Sequence, residues 1–168
     1  MRRVLLLLSL LMLGLATAPA RADDPAFLGL QLGTFDVRHA HTLMGDLEYR
    51  SDYKLWIFKP MAGFFATARG ATYFYSGFAV DLFFGDRIVV TPSEAIGAYN
   101  HGNDAHLGAV PEFRSSLEIA YRFDDRSRLG VMFHHISNAG IGAHNPGSES
   151  ALMTYSYPFD KIEALFGQ

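Results

Sequence analysis

The chain has 168 residues, no cysteine and a formal net charge of −3. Its mildly acidic balance and lack of a basic run exclude a nucleic-acid binder. Without disulfides the chain must be held together by core packing or by insertion into a membrane.

Residues 1–22 read as a secretory signal peptide. Arg2 and Arg3 precede an apolar stretch from Val4 to Leu15, and Ala20-Arg21-Ala22 supplies the small-x-small pattern of a cleavage site. The apolar stretch is shorter than the roughly 20 residues that a helical span needs. Taking Arg2, Arg3 and Arg21 out of the net charge of −3 leaves −6 for a mature chain beginning at Asp23. Residues 23–168 read as one domain, with no internal linker or low-complexity segment.

Aromatic residues make up 14% of the chain, yet past residue 22 the apolar character is spread over short alternating stretches. That distributed pattern is the signature of an outer-membrane, transmembrane β-barrel. At about 9–11 residues per crossing, the mature chain accommodates eight antiparallel strands, whereas twelve leave almost no loop. Strands are expected over 27–37, 43–50, 55–65, 72–84, 87–99, 111–123, 128–137 and 149–159. In the second, Leu43, Leu47 and Tyr49 share one face and Asp46, Glu48 and Arg50 the other. Tyr73, Phe74, Tyr75, Phe83 and Phe84 read as lipid-facing or girdle residues. Segments 100–109 and 138–148 read as loops.

The clearest alternation is in 111–123. Phe113, Leu117, Ile119, Tyr121 and Phe123 lie on one side; Glu112, Arg114, Glu118 and Arg122 lie on the other. In a soluble sandwich the charged face meets water. In a small barrel it points inward and the apolar face meets lipid. Barrels of this type keep both termini in the periplasm, so the seventh strand runs outward and Ser137 lies toward the outer surface. Residues 160–168 form a periplasmic tail with a short turn of helix.

The run His134-His135-Ile136-Ser137-Asn138-Ala139-Gly140, followed by Asn145 and Glu149, carries the chemistry. His135 and Ser137 continue the apolar face of Leu129, Val131 and Phe133. Glu149 heads the face of Ala151, Met153, Tyr155 and Tyr157. A base, a hydroxyl and a carboxylate thus lie among lipid-facing side chains, where unpaired charge is costly. Residues two apart on a strand are about 6.6 Å apart by Cα, so His135 and Ser137 can meet. A hairpin that pairs position 135 with 149 brings Glu149 to them. Glu149 then orients His135, His135 takes the proton of Ser137, and Ser137 attacks an ester to give an acyl-enzyme that water hydrolyses. Backbone N–H groups near Gly140 and the side chains of Asn138 or Asn145 are candidate oxyanion donors. The base must be neutral, so activity is expected to fall on acidification. The alternative reading of these residues is ordinary polar side chains at the water–lipid boundary.

The segment His135-Ile136-Ser137-Asn138-Ala139-Gly140, with Asn145, Gly147 and Glu149, resembles the signature of the lipid A 3-O-deacylase family, PagL. The resemblance extends over the mature chain in length, signal peptide and strand pattern, but its specificity rests mostly on 134–149. It implies an eight-stranded outer-membrane barrel with a lipid-facing active site. It implies His135, Ser137 and Glu149 as the triad, Gly140 and Asn145 as oxyanion residues, and Asn138 as the motif asparagine. The implied reaction removes the 3-hydroxyacyl ester at position 3 of lipid A in lipopolysaccharide, with no metal or other cofactor. One departure is the C-terminus: barrels of this type usually end on an aromatic residue, whereas here Tyr157-Pro158-Phe159 is followed by 160–168.

Other features carry less. His39 and His41 are expected on one strand face, and His101, His106 and His144 in or near loops. Without carboxylate spacing these read as surface residues rather than a metal site. His134 faces away from His135, as an interior hydrogen-bonding residue. The competing functions are a phospholipid acyl hydrolase of the same membrane and a non-enzymatic small barrel. The sequence leaves a monomer and a homodimer both open.

Overall fold

The computed structural model describes residues 24–39 and 41–166; the expected signal peptide lies outside them. Nine β-segments follow in order: β1 (Phe27–Phe35), β2 (Thr42–Arg50), β3 (Lys59–Thr67), β4 (Thr72–Ala79), β5 (Leu82–Phe84), β6 (Ile88–Asn100), β7 (Pro111–Arg122), β8 (Arg128–Ser137) and β9 (Ser148–Pro158). A helix, α1 (Phe159–Phe166), ends the described chain. Each strand pairs antiparallel with its neighbours, and the β1–β9 pairing joins the first strand to the last. The β4–β6 pairing completes the closure of the cylinder; the short β5 pairs with β6 alone.

The nine segments make eight crossings, because β4 and β5 are two parts of one. Ala79 pairs with Ser93 and, further along the same line, Leu82 pairs with Val90. The interruption at 80–81 lies opposite Pro92, which has no N–H to give to the ladder. One bond survives there, from Val80 N–H to the Pro92 carbonyl at 3.0 Å. β3 also starts later than expected. Residues 55–58 form a tight turn closed by a Leu55–Phe58 bridge, with Trp56 at a φ of 63°. Exposed Tyr53, Leu55, Trp56, Ile57 and Phe58 surround it. Apolar and amphipathic aromatic side chains gathered at one end of a barrel are the composition of an interfacial belt.

Strand β7 decides between sandwich and barrel. Its charged residues Glu112, Arg114 and Glu118 are buried, while Phe113, Leu117, Ile119 and Tyr121 are exposed. The charged face thus points into a filled lumen and the apolar face outward, as a membrane barrel requires. Inside, Arg50 bridges Glu48 and Glu118, each at 2.6 Å. Arg114 reaches Glu48 at 3.3 Å and gives Nε–H to His134 Nδ1 at 3.1 Å. His134 is therefore an interior partner, as its parity predicts. Tyr73 and Tyr75 are buried, contrary to the expectation of a lipid-facing or girdle position. Their hydroxyls explain it: Tyr73 donates to the Glu112 carbonyl at 2.8 Å, and Tyr75 lies 2.9 Å from carboxylate oxygens of Asp46 and Glu48. Phe74 and Phe84 do face outward.

The end of the barrel where β1 begins and β9 ends is closed by a second ionic group. Asp81 accepts from Lys59 at 3.2 Å and from Arg128 at 3.0 Å, and Arg128 also binds Asp24. Helix α1 folds against this rim. Phe159 packs edge-on against Tyr49, and Asp160 pairs with Arg126 at 2.9 Å. In the adjoining β7–β8 turn, the Ser127 hydroxyl and N–H both donate to Asp125 and hold its carboxyl below the ordinary carboxylate range.

Candidate active site

Strand register brings the candidate residues to one outer patch. His135 lies directly opposite Glu149 in the β8–β9 ladder. Ser137 ends β8 two residues further on, opposite Phe113 of β7. The neighbours on this face are Phe133, Phe113, Val131 and Met153, all exposed on the barrel exterior. Buried Met132, His134 and Ile136 alternate with them and point inward. The site thus lies on the wall, not in the lumen.

The Glu149 carboxylate is shared between two cations or potential cations. One oxygen is 3.3 Å from His135 Nδ1, and the other is 3.1 Å from Arg38 Nε. Glu149 is 28% exposed and His135 47%, so the pair is sheltered but open on one side. Arg38 belongs to the β1–β2 connection, and the Val37 N–H donates to the Glu149 carbonyl at 2.9 Å. The sequence reading missed Arg38, because nothing in its local spacing shows that β1 closes on β9. A carboxylate at Nδ1 selects the tautomer that bears its proton there and leaves Nε2 as the basic nitrogen. That Nε2 edge lies against Gly147. A Cβ on Gly147 would sit 2.6 Å from His135 Cε1 and 3.3 Å from Nε2.

Asn138 organises the loops around this patch. It is fully buried, and its side-chain amide gives both hydrogens to backbone carbonyls, of Leu107 at 2.8 Å and His144 at 2.9 Å. Its Oδ1 accepts the Gly140 N–H at 2.9 Å, and its own N–H donates to Asn145 Oδ1 at 3.0 Å. One side chain therefore ties the β6–β7 loop to the β8–β9 loop. Gly108 permits that approach, since a Cβ there would lie 2.2 Å from the His144 carbonyl oxygen. Asn138 thus has its hydrogens engaged and Gly140 its N–H engaged. Asn145 is exposed, and its Oδ1 is the atom used within the loop.

The remaining histidines fall elsewhere. His39 lies in a turn beside Asp36, and His41 has a φ of 45°, so the expected shared strand face is replaced by a tight reversal. The His101 and His106 rings are 4.4 Å apart at the outer rim, with His144 6.1 Å from His106.

Two comparisons at the level of sequence point to one family. The family model described as "Lipid A 3-O-deacylase (PagL)" matches residues 34–158. The lipid A deacylase PagL of Bordetella bronchiseptica is 32% identical over 56 residues, which are 33% of this chain and 32% of that protein. The chain therefore spans about a third of the length of the curated relative it matches. Among solved structures, that of the outer membrane enzyme PagL superposes with a TM-score of 0.65 and 21% identity, covering 79% of this chain and 99% of the other. A de novo designed transmembrane β-barrel superposes at 0.56 with 9% identity, over 80% of this chain and 98% of the design. At these identities the two structures speak to the fold alone.

Proposed function

Because the chain belongs to the lipid A 3-O-deacylase family, PagL, we propose that it is an outer-membrane serine esterase that removes the 3-O-linked 3-hydroxyacyl chain of lipid A. The observation that carries this reading is the His135–Glu149 pair on the outer wall, with Ser137 two residues away on the same strand. The substrate ester lies at the level of the outer leaflet, and a lipid-facing site meets it without extracting it from the membrane. The signal peptide of residues 1–22 and the single domain of 23–168 belong to the same proposal.

The mechanism follows from the atoms. Glu149 holds His135 Nδ1–H and offsets the charge that develops on the ring. His135 Nε2 takes the Ser137 proton as Oγ attacks the ester carbonyl, and returns it to the sugar oxygen that leaves. Water, deprotonated by the same nitrogen, then releases the 3-hydroxy acid. Arg38, at 3.1 Å from the other carboxylate oxygen, holds Glu149 aligned. The Asn145 side-chain amide, whose Oδ1 rather than its nitrogen is used within the loop, is the preferred oxyanion donor. Asn138 is a positioning residue whose engaged amide fixes the 139–140 turn.

Two measurements test the reading. Purified protein incubated with lipopolysaccharide or with phospholipid in the same detergent is expected to release 3-hydroxy fatty acid from the former and no acid from the latter. Release from phospholipid alone would instead identify a phospholipid acyl hydrolase. Gly147→Ala tests the histidine's placement. The added methyl meets the imidazole edge at a residue with a φ of 67°, and a displaced base typically costs about 100-fold in rate. Activity should fall by that order while the barrel still migrates as a folded species in unheated gels. Wild-type activity in this variant would show that the ring is not held there.

A further inference from the structure

A second polar pair faces outward beside the candidate site. Ser115 Oγ donates to Glu94 Oε2 at 2.7 Å, and both residues are exposed on the lipid side of β6 and β7. Register places them in one row with the site: Glu94 opposite Ser115, Ser115 opposite His135, and His135 opposite Glu149. Their outward neighbours are apolar, among them Phe78, Ile96, Phe113 and Leu117. A carboxyl group on the lipid face of a barrel is destabilising. The single donor of Ser115 occupies one of the roughly four acceptor positions that a carboxylate offers. Neither residue has a part in the proton relay of Ser137, His135 and Glu149. An unsatisfied acceptor on a hydrocarbon-facing wall calls for a donor that arrives with the hydrocarbon. The donor an acyl chain can bring is a hydroxyl.

Geometry fits that ligand. Ser137 and Ser115 are diagonal neighbours across the β7–β8 ladder, a separation of about 7–8 Å. An ester carbonyl in contact with Ser137 places its third carbon, with the attached hydroxyl, across this gap. We propose that Glu94 and Ser115 form a specificity subsite for the 3-hydroxyl of the acyl chain being released, with Glu94 accepting from that hydroxyl. The proposal rests on the deacylase reading above and adds the feature that selects hydroxylated chains.

The test compares two lipid A-type esters of equal chain length, one with a 3-hydroxyl and one without, in detergent micelles. The quantity read is the ratio of their kcat/KM values for wild type, Glu94→Leu, Glu94→Gln and Ser115→Ala. Wild type should prefer the hydroxylated ester. Glu94→Leu should lower the preference about tenfold, the scale of one hydrogen bond to a charged group. Ser115→Ala should lower it less, and Glu94→Gln should retain most of it. An unchanged ratio in Glu94→Leu overturns the subsite while leaving the deacylase reading standing. A wild type that cleaves neither ester overturns the deacylase reading itself, and the subsite with it.

Discussion

Replacing Ser137 by Ala should abolish release of 3-hydroxy fatty acid from lipopolysaccharide, with a loss on the order of 10⁴-fold or more, because nucleophilic residues of a triad act as a unit. The same change should leave the barrel intact. Ser137 is partly exposed at the end of β8, and no lumenal charge depends on it. The check is acid release measured alongside the heat-dependent gel shift of the folded barrel. A folded Ser137→Ala protein with undiminished release removes this hydroxyl from the mechanism. His135→Ala should lose activity to a comparable degree. Glu149→Gln should lose less, since it keeps a hydrogen-bond acceptor but not the charge. If all three variants are inactive and unfolded, the loss is structural and the triad assignment fails this test.

Arg114→Ala should produce the largest loss of stability, about 3–5 kcal/mol, the usual consequence of removing one member of a buried ionic cluster. Arg114 is completely buried and lies 3.3 Å from Glu48 and 3.6 Å from Asp46, with its guanidinium 4.5 Å above the Tyr75 ring. Its removal leaves two acidic side chains facing one another in a closed lumen, with only Arg50 nearby to offset them. Denaturant unfolding in lipid vesicles should show the lowered midpoint. A triple change of Arg114→Met, Asp46→Asn and Glu48→Gln should recover most of it, because the uncompensated charge goes with its partner. A single variant within about 0.5 kcal/mol of wild type, the range of an ordinary surface change, would mean that the lumen is hydrated enough to shield the cluster.

Much of the architecture was legible because a barrel wall enforces a period of two over every strand. β7 alternates without a break, so its lumenal and lipid faces follow from parity alone. The pairing of His135 with Glu149 was legible for the same reason, given a hairpin of the right length. Parity failed where both faces are apolar. In 72–84, tyrosines and phenylalanines alternate at one end, and the charged residue of matching parity, Asp81, lies six residues beyond Tyr75. The inward placement of Tyr73 and Tyr75 depends on Glu112, Asp46 and Glu48, which lie far along the chain. The break between β4 and β5 depends on Pro92 in the partner strand, a residue that disturbs the ladder opposite itself. Arg38, and the loop-tying role of Asn138, were beyond local reading for a similar cause. Arg38 reaches Glu149 only because β1 closes on β9, and the amide of Asn138 bonds to Leu107, 31 residues away. In each case the deciding contact is long-range, and short spacing carries no record of it.

The most direct measurement is mass spectrometry of lipid A extracted from a Gram-negative host that carries complete lipid A, with and without the expressed protein. The account predicts a new species lighter by one 3-hydroxyacyl group, lost from position 3 of the glucosamine disaccharide, and absent when Ser137→Ala is expressed at equal level in the outer membrane. Lipid A of unchanged mass with the folded wild-type barrel present, or loss of a chain from any other position, would contradict it.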